Sequence, residues 1–164
     1  YRVAGTAPDQ AAFPVLAMLV ALALSTHSQC LFGLDGADAM ARYRLYPLKC
    51  RQILAAKNAA FLIVLCCLTA PLSLLPGLAS GMAVLAIGNR NSVLKSFPQR
   101  RWRFAGAAFP VGCLQIIALF FAGSVVTHAD ARWILACALA WLASLWHYGR
   151  VWDRLIVAVR RNDT

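Results

Sequence analysis

The sequence predicts an all-α, polytopic helical membrane protein of about five transmembrane helices, with an amphipathic cytoplasmic helix between the first two. Three observations carry that fold class. Hydrophobic residues fill 61% of the 164 positions and charged residues only 13%, whereas soluble domains run at about half apolar and about a quarter charged. A globule of this size has too little interior to hide so much apolar surface. The charges collect in blocks separated by apolar runs, and the runs are long enough to cross a bilayer.

The first run, FPVLAMLVALALSTHSQCLF at 13–32, holds 20 residues without a formal charge. A helix rising 1.5 Å per residue needs about that many to cross a ~30 Å hydrocarbon core. Ser25 to Gln29 are polar but neutral, suited to bonds with backbone or a neighbouring helix, and His27 reads the same way rather than as a metal ligand. Gly33, Asp35 and Gly36 close the span.

The second apolar block runs from Ile53 to Gly88. As one helix it would reach ~54 Å, too long for a single ordinary crossing. Pro71, Pro76 and Gly77 sit at its middle, where a turn is easy, so the block predicts two helices, 54–73 and 76–90, joined by a tight hairpin. Charge counting favours the hairpin over one kinked helix. Residues 33–57 carry Arg42, Arg44, Lys49, Arg51 and Lys57, and residues 89–104 carry Arg90, Lys95, Arg100, Arg101 and Arg103. Both segments belong on the cytoplasmic side by the positive-inside rule, so an even number of crossings separates them.

AGAAFPVGCLQIIALFFAGSVV at 105–126 is the fourth expected span, with Pro110 and Gly112 placed to bend it. The fifth is 133–148, with Trp133 at one end and Trp146, Tyr148 and Trp152 at the other as interfacial aromatic belts. The tail from Arg150 alternates Arg154, Arg160 and Arg161 with Leu155, Ile156, Val157 and Val159, which fits an interfacial continuation. Residues 1–164 thus form one transmembrane domain with cytoplasmic segments 33–53, 91–104 and 149–164. The N-terminus is expected outside and the C-terminus inside. The opening residue is Tyr1 rather than Met, and a preceding portion is expected.

Several functions fit poorly. The net charge of +10 does not form one stripe with interleaved aromatics, as nucleic-acid binding needs. The six cysteines show no CxxC or paired-His spacing and mostly sit in apolar runs, where they act as small hydrophobes. The acids Asp9, Asp35, Asp38, Asp130, Asp153 and Asp163 fall in loops or at span ends, leaving no mid-membrane carboxylate for ion coupling. Paired carboxylates and clustered histidines are missing, and so is a GxxxxGK[ST] phosphate loop, so neither an enzyme nor an ATPase is expected in this chain. No cofactor is expected.

The basic segment after the first span carries the most specific signal. Asp35 and Asp38 offer N-caps for a short helix over 36–46, Arg42 and Arg44 can reach headgroups or a partner, and Pro47 ends the helix while suiting the first turn of the next. A topogenic loop accounts for the charges alone. The caps and the proline corner call for a defined docking element.

The run FGLDGADAMARYRLYPLKCRQILAAKN (32–58) resembles the first cytoplasmic segment of ABC-2-type permeases, the membrane subunits of bacterial ATP-driven exporters. The shared features are an aromatic-Gly-x-Asp-Gly opening, a basic helix ending at a proline, then a Leu and a Lys-Asn entering the next span. GNRNSVLKSFPQRR (88–101) is similar to the Gly-Asn-x-x-Ser-x-x-x-x-Pro segment these permeases carry after a helical hairpin. The resemblance implies a coupling helix seated in a groove of a separate cytoplasmic ATPase subunit that binds ATP, with Asp35, Gly36, Arg42, Arg44 and Pro47 as contacts or shape-setters. Asn89, Ser92 and Pro98 would belong to a second cytoplasmic element. It further implies a location in the bacterial inner membrane and a second permease domain, identical or not. A translocation path would be bordered by side chains such as Ser25, Thr26, Gln29 and Gln115, which leans towards an amphipathic or lipid-like substrate. Such permeases have six spans where five are expected here, so the first would precede Tyr1. The alternative is a non-transporting anchor that recruits a cytoplasmic partner through the same basic loops.

Overall fold

The apolar runs fold into five helices. The computed structural model describes residues 10–32, 43, 49–94 and 109–162, with side chains as far as Arg154 in the last stretch. Helix α1 is Ala12–Gln29, α2 Cys50–Thr69, α3 Leu74–Leu94, α4 Phe109–His128 and α5 Trp133–Asn162. Prolines mark where helices begin. Pro14 and Pro76 each fall in a first turn, where a missing N–H costs nothing, and Pro71 lies in the turn between α2 and α3. Pro110, expected to bend its span, is the second described residue of α4.

The expected hairpin is present: α2 stops at Thr69 and α3 starts at Leu74. A Cβ added to Gly77 would meet Thr69, and one added to Gly81 would meet Leu65. Asn89 bonds Asn58 near the far end of the pair, so α2 and α3 run antiparallel. Similar pairings fix the other directions. Met18 meets Gly123 while Gln29 bonds Gln115, setting α4 against α1. Trp141 bonds Asn58 and Asp153 bonds Cys50, setting α5 against α2. Helices α1, α3 and α5 therefore point one way, and α2 and α4 the other.

Helix α3 occupies the middle. It touches all four other helices, which ring it in the order α1, α2, α5, α4. From Pro76 to Asn89 none of its residues is exposed. Glycine, alanine and serine at 77, 79, 80, 81 and 88 let neighbouring helices come close. The outer helices carry the oily surface: Ile117 and Phe121 on α4, and Leu135 and Leu139 on α5, are all exposed.

Among the described residues, four helices are long and apolar enough to cross a membrane, one fewer than the five expected spans: α1, α2, α4 and the Trp133–Arg154 portion of α5. The protein is a multi-pass helical membrane protein. Helix α3, which contains the expected span 76–90, falls short of that apolarity over a comparable length, and its 76–89 stretch is covered by protein. Helix α5 also runs on unbroken past the expected end at 148. Its 30 residues make a rod of ~45 Å, longer than a ~30 Å hydrocarbon core.

The helix directions gather the charges. Lys49, Arg51, Arg90, Arg150 and Arg154 sit at the end of the bundle where α1, α3 and the apolar part of α5 finish and α2 begins, with Lys57 two turns into α2. Arg132, in the turn before α5, is the one described Lys or Arg at the opposite end.

Candidate functional site

Near the basic end, α3 carries two sets of buried polar side chains, one on each side. Towards α1 and α4, the Gln115 amide nitrogen donates to Ser28 Oγ at 2.8 Å and to the Val84 carbonyl at 2.9 Å. The Gln29 amide nitrogen donates to Gln115 Oε1. Asn91 donates to Gln29 Oε1 at 3.0 Å and Ser92 to the Ser28 carbonyl at 2.9 Å. Towards α2 and α5, Asn58 donates to Asn89 Oδ1 at 3.0 Å and to the Leu54 carbonyl at 2.9 Å. The Trp141 indole donates to Asn58 Oδ1 at 2.9 Å, and Ser144 Oγ to the Ala86 carbonyl at 2.6 Å.

The layer is neutral and saturated. Among the described residues no buried side-chain nitrogen or oxygen lacks a hydrogen-bond partner. An unpaired amide in a low-dielectric interior is costly, so the bonds across this layer hold α3 and the helices around it at one register. Interhelical bonds of this kind contribute about 0.6 kcal/mol each in membranes, at most about 2. Gln29 and Gln115, placed by their polarity beside a translocation path, are instead bonded to each other and closed to solvent. No three His, Cys, Asp or Glu side chains among the described residues come together as a metal site.

Asn89 and Ser92, expected in a second cytoplasmic element, are buried in α3 as members of this layer. Helix α3 continues to Leu94 rather than ending at 90, which carries Ser92 into the bundle beside Asn89. Asp35, Gly36, Arg42, Arg44, Pro47 and Pro98 lie outside the described residues.

Phe32 and Cys50, on either side of the 33–48 segment, and Tyr43 within it meet α5. Phe32, just after α1, packs edge-on against Trp152 with ring centroids 4.7 Å apart. Tyr43 lies helical within that segment and meets Phe32 at 5.9 Å and Trp152 at 6.4 Å. At the other end, the Asp153 carboxylate accepts the Cys50 backbone N–H at 3.1 Å. The first N–H groups of a helix have no intrahelical acceptor, and a carboxylate there also meets the positive end of the helix dipole. Trp152, expected in an interfacial belt, is instead 2% exposed as the floor of the aromatic cluster. Trp146 and Trp133 do stand on the surface.

Comparison with protein-family models, curated proteins and solved structures finds no match to this chain.

Sequence reasoning missed Trp152, Asp153 and Asn58 as structural centres. Asn58 did carry a signal: a carboxamide two turns inside an apolar helix needs a partner, and the burial of both its amide atoms supplies three.

Proposed function

We propose that the chain is the permease subunit of an ATP-driven exporter of the ABC-2 type. It would couple ATP hydrolysis by a separate cytoplasmic ATPase to movement of a substrate across the bacterial inner membrane, and carry no nucleotide site of its own. The basic end of the bundle faces the cytoplasm, with the N-terminus outside and the C-terminus inside, because cations are retained on that side. A second permease domain, identical or related, completes the substrate path.

The observation that carries this reading is that Phe32, Tyr43 and Cys50, within and on either side of the basic segment, all meet α5. Tyr43 and Phe32 rest on Trp152, and Cys50 is held by Asp153 one residue further along α5. A partner that pushes on the segment between these contacts moves α2 and α5 together. Since α3 is bonded to both through Asn58, Asn89 and Ser144, the displacement reaches the centre of the bundle. The resemblance of 32–58 and 88–101 to permease segments supports the same assignment.

Replacing Arg42 and Arg44 together with Glu is expected to abolish co-purification with the ATPase and its stimulation, while the folded bundle persists. Unchanged complex and unchanged ATPase rate would remove the docking role. The second reading, a non-transporting anchor, draws on the saturated amide layer, which leaves no free polar group inside the described part of the bundle. An anchor would keep the complex yet leave ATPase turnover indifferent to the membrane subunit.

A further inference from the structure

We propose that the seam between the start of α2 and the emerging part of α5 is a binding site for an anionic phospholipid headgroup, formed by Arg51, Arg150 and Arg154 with Trp146 as its platform. The three arginines are brought together by the antiparallel packing of α2 on α5. A Cβ on Gly149 would lie 3.0 Å from both Cβ and Cγ of Arg51, so the Arg51 stem lies directly against the α5 backbone. Arg150 is the next residue, and Arg154 follows one turn later on the same exposed face. All three side chains are exposed.

Depth is set by the aromatic residue. Trp146 is 48% exposed one turn before Arg150, and the Arg150 guanidinium sits 3.8 Å from its ring centroid. An exposed tryptophan at the end of a span belongs at headgroup level, and stacking holds the guanidinium there with donors still free. Among the described residues the acid on the neighbouring turn, Asp153, is engaged with the Cys50 N–H at the α2 N-terminus and forms no ion pair with these arginines. Phosphate suits this arrangement because a guanidinium presents a planar fork of donors to its oxygens, and basic seams between spanning helices take anionic headgroups. The occupant is a lipid rather than a free anion, since the exposed apolar face of α5 at Leu135, Leu139 and Leu142 continues below the site as a track for acyl chains. The inference rests on the membrane fold alone and stands apart from the exporter reading.

The test is a titration of the purified full chain in detergent with phosphatidylglycerol, read by native mass spectrometry as the ratio of lipid-bound to free protein. Arg51→Gln, Arg150→Gln and Arg154→Gln should each weaken binding about fivefold, and the triple variant on the order of a hundredfold. Trp146→Leu should weaken it about threefold. Arg90→Gln on α3, Arg132→Gln at the opposite end, and added inorganic phosphate should change little, and phosphatidylcholine should bind weakly to every variant. The proposal is overturned if the triple variant keeps wild-type affinity. It is equally overturned if Arg90→Gln weakens binding as much as Arg150→Gln, which means diffuse attraction, or if inorganic phosphate displaces the lipid.

Discussion

Gly88→Ala is expected to destabilise the bundle by about 2–3 kcal/mol, measured by unfolding in mixed micelles with increasing sodium dodecyl sulfate. The new Cβ would stand 2.6 Å from Ser28 Oγ, 2.7 Å from the Ser28 carbonyl oxygen and 3.0 Å from the Gln115 amide nitrogen. One of these atoms is backbone, so α1 and α3 must separate to admit the methyl group. The other two cannot swing aside without breaking the bonds that join Gln115 to Ser28 and Val84. Gly112→Ala is the matched control, because a Cβ there meets no heavy atom within 4 Å. Its stability should match or slightly exceed the parent's, since alanine favours helix over glycine by up to about 1 kcal/mol. A gain of the same size at both positions would mean that helix propensity, and not the close approach at 88, dominates.

Gln115→Leu is expected to cost about 2 kcal/mol in the same assay, although leucine fits the volume and is more apolar. The change leaves the Gln29 amide nitrogen without its acceptor and removes the two bonds that the Gln115 amide donates to Ser28 and Val84. Gln29→Leu should cost a similar amount, since it strands Gln115 Oε1 and the Asn91 amide. The two changes together should cost about 1 kcal/mol less than the sum of the singles, because neither variant then leaves the other amide stranded. Strict additivity would show that these amides do not act on each other.

Much of this architecture was legible in the sequence. Lengths and charge blocks located the helices, and Pro71 with Pro76 located the hairpin, because a proline inside a helix is costly whatever surrounds it. The centre of the bundle was not legible. Gly77, Gly81 and Gly88 read equally well as turn or packing residues until their neighbours Thr69, Leu65 and Ser28 are known. The burial of α3 reflects its four protein neighbours, a property of the assembly and not of the segment.

The polar layer was half visible. Asn58, Gln29 and Gln115 stand out in apolar runs, but Gln29 and Gln115 are 86 positions apart, and no local pattern selects that pairing over Gln29 with Asn58. Burial of Trp152 was hidden for a related reason. A tryptophan near a span end is ordinarily interfacial, and only the return of Phe32 and Tyr43 to α5 covers this one. Asp35, Gly36, Arg42, Arg44 and Pro47 lie outside the described residues, so the observed contacts that bear on docking are those of Tyr43 and of Phe32 and Cys50 on either side.

The central claim is an alternating bundle whose basic end lies in the cytoplasm. Its most direct test is sidedness of labelling by a membrane-impermeant maleimide in cells and in inverted vesicles, with single cysteines placed in a background where the six native cysteines are serine or alanine. Ala70 in the α2–α3 turn and Asp130 in the α4–α5 turn are exposed at one end, and Lys49 and Arg154 at the other. The account predicts that Ala70→Cys and Asp130→Cys react only in intact cells and that Lys49→Cys and Arg154→Cys react only in inverted vesicles. Labelling of Ala70→Cys and Lys49→Cys from the same side would contradict it, because α2 would then not cross.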